Sequence, residues 1–162
     1  MHSKKIELDF ISAHLSELDT EDQELISHAK EAFITAYAPY SGFLVGASIL
    51  LENGEIIDGS NQENVAYPSG LCAERVAMFY AGANFPETKI KTIAVSVFSK
   101  SFEVTDVVSP CGACRQVMAE YEEKQERSIK VILHSPSDKV LIANKVQDLL
   151  PFMFKSPDLK KH

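Results

Sequence analysis

All three cysteines of this chain lie in two short stretches, Cys72-Ala73-Glu74-Arg75 and Pro110-Cys111-Gly112-Ala113-Cys114-Arg115-Gln116. Thiolates are soft donors that hold zinc in tetrahedral sets. The three sulfurs, with a carboxylate next but one to the first, amount to three metal ligands and one acid/base group, the parts needed to activate water. Any fold that uses them must bring two segments distant in the chain to a single point. An odd number of cysteines, two of them in a C-x-x-C pair, suits reduced metal-binding thiols better than a disulfide framework. Cys72 alone would read equally well as an inert buried thiol; the pair behind Pro110 argues for the metal.

The chain has 162 residues, enough for one domain with a sizeable core, and no low-complexity run or long linker suggests a second. A formal charge of -7 argues against a protein built on phosphate-backbone contacts, so no nucleic-acid partner is expected. No apolar run is long enough to span a bilayer, so no membrane partner is expected either. Met1-His2-Ser3-Lys4-Lys5 does not lead into the apolar core of a signal peptide, which predicts a cytoplasmic protein.

Ile6, Leu8 and Phe10 alternate with polar residues, predicting a short half-buried strand. Thr20-Glu21-Asp22-Gln23 has the form of a capping box, and Leu25, Ala29, Ala32, Phe33 and Ala36 then recur at helical spacing up to Pro39. A hairpin follows: Phe43 to Leu51, a primed turn at Asn53-Gly54, and Glu55 to Ser60. Cys72 to Ala83 and Cys111 to Tyr121 read as helices, with the thiols in their first turns. There, free amides and partial positive charge favour thiolate. Ile90 to Phe98 is the β-branched run of a central strand.

Lys130 to His134 and Lys139 to Ala143 are separated only by Ser135-Pro136-Ser137-Asp138, too short for a parallel crossover, so these last two strands must be antiparallel. A short helical piece through Val146, Leu149 and Leu150 precedes Pro151-Phe152-Met153-Phe154. The element order predicts an α/β fold, a three-layer α/β/α sandwich on a mixed five-stranded sheet. Residues 1–19 form an extension with a possible extra strand, 20–155 the main domain and 156–162 a polar tail. Phe152 and Phe154 would be hard to hide in a monomer, which predicts oligomerisation.

Cys72-Ala73-Glu74 and Pro110 to Gln116, preceded by Tyr40-Ser41-Gly42-Phe43 and Asn61-Gln62-Glu63-Asn64, closely resemble the cytidine deaminases of pyrimidine salvage, over a likeness that runs from Ala36 to Phe154. The first ligand position holds Cys72, the three-cysteine variant of a pattern that elsewhere begins with histidine. The resemblance implies one Zn²⁺ per subunit on Cys72, Cys111 and Cys114, with an open corner for water. Glu74 is then the proton carrier, and zinc-bound hydroxide attacks C4 of cytidine or deoxycytidine to give uridine or deoxyuridine and ammonia. Three thiolates make an electron-rich zinc, and Arg75 is the candidate to offset their charge.

Asn61 and Glu63 alternate, so both side chains point one way, and by resemblance they hold the ribose. Phe43 and Phe154 resemble walls of the base pocket, Phe154 entering a neighbour's site in a homotetramer. Tyr67 matches a rim tyrosine, while backbone near Ala73 and Ser109-Pro110 is expected to meet the pyrimidine edge. The plainer readings are a solvent-facing Glu74, a polar loop at Asn61 and Glu63, and ordinary packing for Phe43 and Phe154.

Two other classes compete. A non-catalytic structural zinc module would need a fourth ligand, for which His134, on a strand, is the best-placed candidate. A blasticidin S-type antibiotic deaminase would share nearly the same motifs. Deaminases of polynucleotides fit less well, because of the acidic charge and because an antiparallel final strand pair belongs, by resemblance, to the free-nucleoside branch.

Overall fold

The computed structural model describes residues 1–156 and 159. Its main elements run β1 (Phe10–His14), α1 (Thr20–Ile34), β2 (Phe43–Leu51), β3 (Ile56–Ser60), α2 (Ala73–Asn84), β4 (Ile90–Ser99), α3 (Gly112–Lys124), β5 (Lys130–His134) and β6 (Lys139–Ala143). The strands form one mixed sheet in the order β1-β6-β5-β4-β2-β3. Only β4 and β5 pair in parallel; β5 and β6 are antiparallel, as their short connection requires.

Strict alternation along the strands divides the core into two layers. Ala47, Ile49, Leu51, Ile93, Val95, Val131 and Leu133 pack with Ala73, Ala77 and Met78 of α2 and Cys114 and Met118 of α3. Leu50, Ala94, Ile132, Val140 and Ile142 face Leu25, Ile26 and Ala29 of α1 on the other side. Two glycines let helices lie close against the strands. A Cβ on Gly59 would stand 2.7 Å from Ala77 N, and one on Gly46 would stand 1.9 Å from Ala29 O. Gly46→Ala is therefore expected to cost about 1–3 kcal/mol through overpacking. Urea denaturation checks this, and an unchanged midpoint would mean that α1 can move away freely.

The sheet has six strands, not the expected five. The sixth is β1, and it begins where the predicted one ends: Ile6 and Leu8 lie outside it, both exposed. Only Ala13 of β1 is even partly buried, so the strand is set by edge pairing with β6 rather than by an apolar face. Leu15 N donates to Asp138 O at 2.9 Å and His14 N to Glu17 Oε2 at 2.6 Å, closing its far end.

Three local details also differ from expectation. The N-cap of α1 is Asp19, whose Oδ1 accepts from Asp22 N at 2.9 Å, so Thr20 is already helical. The hairpin turn is not primed: Gly54 has φ 88° while Asn53 keeps a negative φ, and Gly54 N donates to Leu51 O at 3.0 Å. That is a type I turn with a glycine bulge, which takes three loop residues where a primed turn takes two. Cys72 and Cys111 are the N-caps of α2 and α3 rather than their first helical residues. The expected polar tail lies, beyond Ser156 and Leu159, outside the described residues.

Candidate metal centre and active site

The starts of α2 and α3 meet at one end of the sheet, and the three sulfurs of Cys72, Cys111 and Cys114 lie within 4.8 Å of one another. Cys72 and Cys111 Sγ are 4.0 Å apart, Cys111 and Cys114 Sγ 3.4 Å. A tetrahedral zinc with sulfurs at about 2.3 Å needs them about 3.8 Å apart, so the cluster fits the ion. Neither capping cysteine uses its side chain to cap its helix. Arg115 fixes the start of α3, donating from Nε to Pro110 O (2.7 Å) and from Nη1 to Leu149 O (3.1 Å).

The electrostatics point the same way. The Cys72 thiol is drawn down to about 5, first by the hydrogen bond from Cys114 and then, against desolvation, by Arg75. Cys114 is pushed up, chiefly by its bond to that thiolate and by burial, with the Glu74 charge adding to both. A second thiolate beside the first requires a cation, and a divalent ion supplies it. Arg75 Nη2 donates to Cys72 Sγ at 3.8 Å and to Gly70 O at 3.4 Å, and its Nε is buried without a partner.

Glu74, one residue into α2, is buried beside the sulfurs, and its Oε2 has no hydrogen-bond partner. Burial, and after it the Cys72 charge, pushes the carboxyl above the usual carboxylate range. A buried unpartnered carboxylate oxygen is costly in a packed core and expected where a ligand completes the site.

These groups form the floor of a cavity of about 660 Å³. Phe43, Asn61, Glu63 and Tyr67 line it, together with Ser109 and Pro110. Asn61 is held by the backbone of β2, accepting from Val45 N at 2.8 Å and donating to Phe43 O at 2.9 Å. Glu63 accepts from Tyr40 N (2.9 Å), Ser41 N (3.3 Å) and Ser41 Oγ (2.5 Å), and the Ser41 bond leads in keeping its pKa low. Tyr67, largely exposed, meets Tyr40 edge to face at 6.1 Å.

Of the other two candidates, Ala73 was expected to act through its backbone and Phe154 in a neighbour's site. Ala73 is fully buried under the cavity, and its side chain does not line it. Phe154 is 72% exposed and outside the cavity, its backbone paired with Gln116 through N–H to Oε1 and Nε2 to O, both 3.0 Å. The sequence motif contained Ser41 but gave it no role of its own, although it anchors Glu63, and did not single out Val95 and Val97, which form part of the wall. Only the alternation of β4 could have singled out the two valines, since it directs them to the face of α2 and α3.

Residues 19–127 match the family described as the cytidine and deoxycytidylate deaminase zinc-binding region. A cytidine deaminase of Halalkalibacterium halodurans is 36% identical over 137 residues, 85% of this chain and 96% of its own. One of Sporosarcina psychrophila is 39% identical over 137 residues, 85% and 93%. The crystal structure of cytidine deaminase from Burkholderia pseudomallei superposes with a TM-score of 0.71 at 36% identity, covering 85% of this chain and all of the other. With the sulfur cluster, the buried carboxylate and the mixed sheet already in place, the chain belongs to the cytidine and deoxycytidylate deaminase family.

Proposed function

We propose that this chain is a zinc-dependent hydrolase that converts cytidine and deoxycytidine to uridine and deoxyuridine with release of ammonia, a step of pyrimidine salvage in the cytoplasm. The observation that carries this reading is a buried carboxylate with one free oxygen, beside three converging sulfurs, on the floor of a nucleoside-sized cavity. Among the described residues lining the cavity, Arg75 is the sole basic one, and its guanidinium is turned to Cys72 and Gly70. A phosphate would find no free cationic side chain there, which favours a free nucleoside over a nucleotide or polynucleotide. Zinc-loaded protein should release ammonia from cytidine and chelated protein should not. No ammonia from the loaded protein, or turnover of blasticidin S alone, overturns the reading.

Cys72, Cys111 and Cys114 would hold the ion, which when bound acidifies water and polarises it for attack. Glu74 takes the proton of the attacking water and passes it to N3 of the ring as C4 becomes tetrahedral. It then takes the proton of the new C4 hydroxyl and gives it to the amine, which leaves as ammonia while the C4 carbonyl forms. Its raised proton affinity suits a group that must carry a proton between two steps. Asn61 and Glu63, each pinned by backbone, orient the ribose hydroxyls, and Phe43 provides an apolar wall for the ring. Arg75 offsets thiolate charge so that the metal stays a strong Lewis acid. Arg75→Ala should lower kcat roughly 10- to 100-fold at saturating zinc. Wild-type kinetics would dismiss that role.

The catalytic domain spans 20–155, and the protein acts as a homotetramer in which Phe154 of one subunit closes the cavity of another. Exposed Phe152, Phe154 and Tyr67 support an interface between copies. Phe154→Ala should raise KM several-fold, and co-assembly with Glu74→Gln subunits, inactive but carrying Phe154, should restore part of the loss. Absence of rescue in mixed oligomers would place Phe154 outside the site. A closed structural zinc shell is disfavoured, because both ring nitrogens of His134 are engaged, by Ser96 Oγ at 2.9 Å and Asp138 Oδ1 at 3.1 Å.

A further inference from the structure

Phe43 faces the cavity on one side and is braced on the other. The ring of Phe102, in the loop between β4 and α3, lies against it with centroids 5.9 Å apart and planes inclined by 7°. Phe102 does not itself line the cavity. We propose that Phe102 is a positioning residue that holds the Phe43 ring in the orientation that receives the nucleoside. This rests on the deaminase reading of the cavity.

The loop around Phe102 is fastened to the segment that carries Phe43. Ser99 Oγ accepts from Ser101 N (3.2 Å) and Phe102 N (3.3 Å), which fixes the turn. Lys100 N donates to Gly42 O at 3.1 Å and Ser101 Oγ to Ser41 O at 3.5 Å. The approach is so close that a Cβ on Gly42, which has φ 64°, would come within 2.8 Å of Ser101 Oγ. Ser41 in turn accepts from Phe43 N at 3.0 Å and donates to Glu63.

The brace therefore serves the aromatic wall and one of the groups assigned to the ribose. Phe102 is 58% exposed, so its ring adds little to the core. What it does in this position is limit the rotamers of Phe43, a half-buried residue at the very start of β2. A wall ordered before substrate arrives spares the substrate the entropy of ordering it. The consequence falls on ground-state binding more than on the chemical step.

The test is a double-mutant cycle on zinc-loaded protein, with cytidine kinetics, zinc content and thermal midpoint measured for Phe102→Ala, Phe102→Tyr, Phe43→Ala and the double variant. Phe102→Ala should raise KM roughly three- to tenfold, the worth of one aromatic pair, with kcat within about twofold and zinc unchanged. Phe102→Tyr keeps the ring and should keep KM. In the Phe43→Ala background the same replacement should add almost nothing, because Phe102 acts through Phe43. An active wild type with unchanged KM in Phe102→Ala overturns this inference alone. So does an equal effect in both backgrounds, or a joint loss of zinc and kcat. A wild type that releases no ammonia from cytidine overturns the deaminase reading and this inference with it.

Discussion

Replacing Glu74 with glutamine should leave zinc in place and reduce turnover of cytidine by about 10³-fold or more. Glutamine matches glutamate in size and can occupy the same buried space, but it cannot accept the proton of the attacking water or pass one to N3. Proton transfer by a positioned side chain is worth about 10²–10⁴-fold, and in the proposed mechanism one group serves two transfers. Zinc content should hold, because Glu74 is not among the clustered donors. Nor should the thermal midpoint fall, since burial already disfavours the charged carboxylate and its Oε2 has no partner to lose. Residual activity within tenfold of wild type would remove Glu74 from the mechanism.

Cys114→Ser should abolish the metal site altogether. Cys114 is fully buried, and its sulfur lies 3.4 Å from that of Cys111. A serine hydroxyl keeps its proton near neutral pH and is a harder, poorer donor, so two sulfurs remain where three are needed. Zinc per subunit should fall to near zero and ammonia release with it. Stability should follow, because an ion that binds only the folded chain at about 1,000 times its Kd adds about 4 kcal/mol. For a chain of this size that is roughly 8–16 °C in thermal midpoint. A chelator should lower the wild type by a similar amount and leave the variant unmoved. Full zinc and activity in Cys114→Ser would show that the cluster is not the ligand set.

Much of the site was legible because its signals are local. A C-x-x-C pair places both sulfurs at one helix start, and Glu74 cannot stray far from Cys72 when they are two residues apart. The antiparallel β5–β6 pair followed from a connection too short for anything else. Residues whose placement depends on distant backbone were harder to see. The bonds that fix the Asn61 amide, from Val45 N and to Phe43 O of β2, have no signal in the chain near Asn61. The edge strand was misplaced because apolar alternation at Ile6 and Leu8 carries less weight than hydrogen bonding to β6, which no local pattern records. Phe102 carried no sequence signal, since stacking on Phe43 depends on how two loops meet.

The amino-acid order decided which donors exist, on which helix starts they sit and which strand turns back on which, because caps, periodicity and loop length act over a few residues. Tertiary structure decided everything that requires two distant segments at one place. Packing of α2 and α3 on the same face of the sheet, with α2 brought close over Gly59, carries Cys72 to the Cys111–Cys114 pair. The same packing removes water from Glu74 and leaves one of its oxygens unpaired beside the sulfurs. In the proposed mechanism that loss of solvent is what suits Glu74 to carry a proton, and burial is a property of the assembled fold rather than of any stretch of chain.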